Sequence, residues 1–135
     1  MKKYFVDTNV FIRYLVNDEP EHADRVEKLL DRAEKGKIRL VTGPPVFFEL
    51  AWTLKSFYEM KKSEIYNCLL SIAGIPGLDV SDIDIITESL EVYKMHPVEF
   101  ADAYISVLSK KLNAEGVVTF NRKHFNRLNV ALYPI

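Results

Sequence analysis

The sequence predicts an α/β sandwich, a mostly parallel sheet with helices on both of its faces. Three observations carry this. Short apolar runs alternate along the chain with longer segments of helical periodicity. Prolines that open helices and glycines that stop them fall at the boundaries. No internal repeat, low-complexity tract or linker interrupts the 135 residues, a length that suits one domain, 1–135, able to bury a real core.

In order, Tyr4, Phe5 and Val6 read as a short buried strand, and Val10, Phe11, Tyr14 and Leu15 recur at helical spacing behind it. Thr8 or Asn9 is placed to cap that helix. Pro20 opens a second helix with the stripe Val26, Leu29, Leu30 and Ala33, and Gly36 ends it. "IRLVTG" is a strand closed by Gly43. "PPVFFELAWTLKSFYEM" is a helix with Phe47, Leu50, Ala51, Leu54 and Tyr58 on one face, while Val46, Phe48, Trp52 and Phe57 lie around the rest. A helix apolar nearly all round is expected to be buried on several sides, in the core or against another chain. "KSEIYNCLLSIAGIP" is a helix, "GLDV" a brief strand, and Ser81 with Asp84 resembles a capping box for "DIDIITESLEVYKM". Pro97 begins a helix with Phe100, Ala103, Tyr104, Val107 and Leu108 inward, "GVVTF" is a strand, and "VALYP" is the last one.

Composition narrows the function classes. The chain is 48% hydrophobic and 27% charged with a formal net charge of −1, so no nucleic-acid partner is announced globally, although a local basic patch suffices for one. Cys68 is the single cysteine, which excludes an internal disulfide and a cysteine-based zinc site; a small buried apolar role fits it. No apolar run is long enough to span a bilayer, and the N-terminus lacks a signal-peptide core. No membrane association and a cytoplasmic location are therefore expected.

Ligands of open α/β sheets bind beyond the carboxyl ends of the strands. Asp7 follows the first strand and Asn121 follows "VVTF"; Glu49 and Asp102 lie early in helices. If "GVVTF" neighbours the first strand, all four reach one crevice. Two carboxylates about 4 Å apart repel by about 4 kcal/mol at an effective dielectric near 20, so convergent acids share a proton or take up a cation. Three acids with an amide oxygen, and no histidine or thiolate among them, suit Mg²⁺ or Mn²⁺. Metal-assisted hydrolysis of a phosphodiester is the favoured chemistry. Asp7 as a plain helix cap is the ordinary alternative.

"YFVDTNVFI", "FFELAW", "EFADAYIS" and "VVTFNRKHF" together resemble the successive motifs of the PIN domain, most closely in the ribonuclease toxins of VapBC-type toxin–antitoxin pairs. The resemblance spans essentially the whole chain. It implies a three-layer α/β/α sandwich around a parallel sheet and a Mg²⁺- or Mn²⁺-dependent endoribonuclease acting on RNA. It also implies a homodimer and a cognate antitoxin in the active-site groove. Carried over, the family's first three acids fall on Asp7, Glu49 and Asp102 as metal ligands, its polar hydroxyl on Thr119, and its fourth acid on Asn121. Asparagine offers a carbonyl oxygen without the charge that helps hold a second cation, so one firmly bound metal is expected.

Other groups have milder readings. Glu99 reads as a solvated first-turn acid, and Asp79, Asp82 and Asp84 as structural. His22, His96 and His124 are scattered along the chain; His124, beside Arg122 and Lys123, reads as a surface histidine, with contact to a phosphate as the alternative. Arg122, Lys123, Arg127 and Arg13 are candidates for a basic rim on RNA. Trp52 packs in the core, stacks a base or anchors an antitoxin helix. The competing functions are a catalytically weakened PIN domain that binds RNA or protein without cutting, and a phosphatase with Asp7 as nucleophile. The latter is disfavoured because Asn9 stands where a second Asp is needed.

Overall fold

Three short strands, β1 (Lys3–Phe5), β2 (Arg39–Thr42) and β3 (Leu78–Val80), pair in parallel in the order β1-β2-β3. The structure is a computed structural model that describes residues 2–135, and the chain divides after Ile83 into two compact units. Parallel neighbours need long crossovers, and each crossover of the first unit is a helix pair. Helices α1 (Thr8–Val16) and α2 (Pro20–Glu34) join β1 to β2, and α3 (Pro44–Ser56) and α4 (Lys62–Ala73) join β2 to β3. The α/β class and the parallel sheet are those predicted.

In the first unit α1 packs on both α2 and α3, and α3 packs on α4. Phe11, Leu40, Phe47, Leu50, Leu54, Ile65, Leu69 and Ile72 are fully buried. The central strand β2 buries Leu40 and Thr42, whose hydroxyl donates to the Val6 carbonyl at 3.1 Å. The expectation of a buried first strand holds only for Val6; Tyr4 and Phe5 are exposed. In the sheet β1 has a neighbour on one side alone, so its pleat is covered less than that of β2. Asp79 on β3 pairs with Arg39 on β2, which supports its structural reading. Gly77 is required by geometry: its φ is +83°, and a Cβ there would lie 2.5 Å from the Ala33 carbonyl.

Prolines and glycines punctuate the helices much as the sequence indicates. Pro20 is the first residue of α2, and Gly36 follows its end at φ +75°. Helix α3 stops at Ser56, four residues short of the predicted Met60. Glu59 turns left-handed at φ 54°, and the Met60 N–H closes on the Leu54 carbonyl at 3.0 Å.

The second unit holds α5 (Ile83–Met95), α6 (Phe100–Lys111) and α7 (Arg122–Asn126). Helix α6 starts three residues after Pro97, with Glu99 extended at the N-cap. The predicted strands "GVVTF" and "VALYP" do not form: a single parallel bridge joins Val117 to Leu132. Its hydrogen bonds run from Val117 N–H to the Ala131 carbonyl (2.9 Å) and from Tyr133 N–H to the Val117 carbonyl (3.0 Å). The next residue, Pro134, has no N–H with which to extend a ladder.

Tyr93 meets Phe100 edge-on at 5.9 Å in this unit, and its burial, with the Glu99 charge adding to it, pushes the phenol up to about 12. A phenol that holds its proton more tightly when folded stabilises the fold fully below its unfolded value near 10. That contribution is lost as the pH rises through about 12. Urea midpoints measured between pH 8 and pH 12 are expected to fall across this window. The Tyr93 share is on the order of 2–3 kcal/mol, and Tyr93→Phe is expected to remove it.

Candidate active site

Helices α1 and α3 of the first unit border a cleft of about 390 Å³, lined by Asp7, Thr8, Asn9, Ile12 and Arg13 from one side and Glu49, Thr53, Phe57 and Tyr58 from the other. Two helical periodicities build it. Glu49, Thr53 and Phe57 recur every four residues along α3, and Thr8–Ile12 and Asn9–Arg13 do the same on α1. The core face of α3, with Phe47, Leu50 and Leu54 buried, sets the direction in which Glu49 is presented.

Asp7 is the N-cap of α1, extended at φ −84° and ψ 164°, and its Oδ1 accepts the Thr8 N–H at 2.7 Å. The expected caps Thr8 and Asn9 are instead the first two residues of the helix. The chain stays extended through Val6 and Asp7, and aspartate is among the best N-cap residues. The ordinary role considered for Asp7 is therefore real, and it leaves the acid on the cleft wall. Thr8, almost buried, donates its hydroxyl to Glu49 Oε1. One residue thus ties both acids: its N–H takes an Asp7 oxygen and its hydroxyl takes a Glu49 oxygen. Among the described residues these bonds use one oxygen of each acid, and the second can take a cation or a water. The positive end of α1 adds a partial charge that favours anions here.

In the second unit Asp102 sits in the first turn of α6, mostly buried, with Oδ2 3.2 Å from His124 Nδ1 on α7. Asn121 is the N-cap of α7, makes no capping bond through its side chain, and donates its backbone N–H to the Thr119 hydroxyl at 2.9 Å. Arg127 donates to the Pro97 carbonyl at 3.3 Å. The first unit therefore joins Asp7 to Glu49 through Thr8, whereas in the second Asp102 meets His124 and Asn121 stands at the N-cap of α7.

Among the described residues, no three His, Cys, Asp or Glu side chains gather as a metal-holding group. Beside Arg13, the cleft offers hard oxygen donors: the carboxylates of Asp7 and Glu49, the hydroxyls of Thr8, Thr53 and Tyr58, and the Asn9 amide. That set fits Mg²⁺ or Mn²⁺, since Mg²⁺ usually takes one or two carboxylates and completes its shell with water and substrate phosphates.

Sequence reasoning missed two partners. Thr8 was read as a cap and not as the link to Glu49; nothing in a linear pattern shows a bond between residues on separate helices. His124 was read as a surface residue or a phosphate contact; it is half-exposed, and its contact with Asp102 is what a linear pattern did not show. Trp52 was left between core and surface, and it is 70% exposed. Cys68 is partly buried, and burial raises its thiol pKa, as suits an unreactive cysteine. No helix among the described residues is long and apolar enough to cross a membrane.

Comparison with known proteins agrees with the motifs. A sequence model of the PIN domain matches residues 4–130, running through both units. The chain is similar to a VapC ribonuclease of Aquifex aeolicus (strain VF5), 25% identical over 118 residues that cover 87% of each protein. A match over nearly the full length shows that this chain belongs to the PIN domain family.

Proposed function

We propose that the chain is a divalent-metal-dependent endoribonuclease, the toxin of a toxin–antitoxin pair, with the whole chain acting as one PIN domain. The observation that carries this is the joining of Asp7 and Glu49 on one cleft by Thr8, in a family member similar to a VapC ribonuclease. Asp7 and Glu49 are the proposed ligands of Mg²⁺ or Mn²⁺ in the first unit. A bound cation supplies charge neutralisation for the scissile phosphate and lowers the pKa of water. Thr8 orients the two acids, and Glu49 is also placed to position an attacking water. In the second unit Asp102 is proposed as a further metal ligand, oriented by His124, and Asn121 as a polar catalytic residue. RNA is the proposed substrate. The proposed protein partners are a cognate antitoxin and a second copy of the chain, which exposed Trp52 and Phe57 on and beside α3 make reasonable.

The test is cleavage of RNA by the purified chain in Mg²⁺ or Mn²⁺, with and without chelator. Cleavage with either metal and its loss with chelator are expected. Uncut RNA under all conditions would overturn the assignment. Asn121 favours a second reading, an RNA-binding module that does not cut, and retained RNA binding without cleavage in both metals would select it. Co-expression with the product of a neighbouring small gene is expected to give a complex in which cleavage is suppressed.

A further inference from the structure

The α1/α3 cleft ends in aromatic rings that its acids do not explain. Phe57 and Tyr58 line it together with Asp7 and Glu49, and Phe57 is 74% exposed. An exposed phenylalanine is ordinary on a protein surface; on the wall of a candidate active site it lies in the path of a substrate. Glu49, Thr53 and Phe57 follow one line of α3, which sets Phe57 about 12 Å along the helix from Glu49. Trp52, also exposed, is not on that line.

The Phe57 ring is held rather than loose. Phe57 is the C-cap of α3, and its N–H closes on the Thr53 carbonyl at 2.9 Å. Tyr58 meets it edge-on, with ring centroids 4.8 Å apart and planes at 72°. The Tyr58 hydroxyl donates to Asp18 Oδ2 at 3.4 Å, and Asp18 Oδ1 takes Arg13 Nη1 at 2.6 Å. Tyr58 is thereby braced against the chain just beyond α1, and Phe57 against Tyr58. An edge-on neighbour covers at most one face of a ring, so Phe57 keeps a face open to a flat ligand. A ring already in place loses little freedom when it is covered.

Fixed charge does not draw a nucleic-acid strand into this cleft. Asp7 and Glu49 repel phosphates, and Arg13 already pairs with Asp18 and Glu19. The proposed divalent cation offsets that repulsion at the scissile phosphate. Farther along the wall, the contact that Phe57 can add is an uncharged one, and stacking of a base on an aromatic face is such a contact.

We propose that Phe57 is a base platform: an unpaired nucleobase of the RNA, beside the scissile phosphate and not at it, stacks on its open face. The inference rests on the nuclease reading and adds how the substrate is gripped. Every base has a π face, so the platform accepts any of them. It accepts only unpaired ones, because a base inside a duplex is already stacked. A protein partner seated on the same ring excludes the RNA.

The experiment compares wild type, Phe57→Leu, which keeps apolar bulk without the ring, and Phe57→Trp, which keeps a ring. None alters a proposed metal ligand, and thermal unfolding midpoints confirm folding. KM and kcat for cleavage of a single-stranded RNA are measured in Mg²⁺ at low and high salt. Emission from a 2-aminopurine base in the same RNA, which stacking quenches, is followed in chelator. Phe57→Leu is expected to raise KM at least about fivefold with little change in kcat, by the same factor at both salt concentrations. Phe57→Trp is expected to hold or lower KM. Wild type and Phe57→Trp are expected to quench the emission, and Phe57→Leu is not. Wild-type cleavage with Phe57→Leu matching wild type in KM or in quenching overturns the platform and leaves the nuclease reading standing. If that variant instead loses self-association, the ring is a protein contact and the platform is likewise overturned. Quenching that depends on the ring, without cleavage, supports the platform and removes the nuclease reading. A wild-type chain that neither quenches nor cuts removes both.

Discussion

Replacing Asp7 with asparagine is expected to reduce RNA cleavage by a factor on the order of 10²–10⁴, the range over which positioned acid, base and electrostatic groups contribute, while the fold survives. The choice of asparagine matters. Asp7 caps α1 through Oδ1, and asparagine caps a helix about as well as aspartate does, so Asp7→Asn removes the charge and keeps the cap. Asp7→Ala removes both and is expected to cost about 1 kcal/mol of stability in addition. Measuring kcat together with the urea midpoint for the two variants separates the roles. Asparagine lowering activity with an unchanged midpoint assigns the charge to catalysis. Full activity in Asp7→Asn would sink the assignment and return Asp7 to the status of a helix cap.

Phe47→Ala is the substitution expected to cost the most stability, about 3–5 kcal/mol. Phe47 is wholly inaccessible to solvent, on the face of α3 that also buries Leu50 and Leu54. Truncating it removes transfer free energy and leaves a cavity that close-packed neighbours fill only in part. Domains of this size are stable by about 5–15 kcal/mol, so a large share of the total is lost. Equilibrium urea unfolding reads the change. Because Phe47 lies two residues before Glu49 on the same helix, cleavage is expected to fall with stability in this variant, unlike Asp7→Asn. A midpoint close to wild type would show that the α3 face does not carry the packing assigned to it.

Much of the local structure was legible because it depends on short-range chemistry. Pro20 and Pro44 stand at the starts of α2 and α3, and Gly36 lies just beyond the end of α2. The buried stripes of α2, α3 and α6 follow their 3.6-residue periodicity. The chain also failed to announce several features. "GVVTF" has strand composition, yet only Val117 pairs, because pairing depends on the partner segment and there Pro134 limits it. Tyr4 and Phe5 look like core residues and are exposed, since burial depends on how many neighbours a strand acquires.

The candidate site divides in the same way. Asp7, Glu49, Asp102 and Asn121 are candidates proposed from residue type, motif and position relative to strands and helices. Thr8 as the bond between Asp7 and Glu49 and His124 as the partner of Asp102 were not legible that way. Sequence alone determined the fold class and the helix boundaries near their prolines and glycines, and it nominated the acids of the proposed chemistry, because periodicity, capping and motif act over a few residues. Tertiary structure decided which oxygens are bonded and which aromatics face solvent. Those properties are distances between side chains on separate elements, and a linear pattern contains no distances.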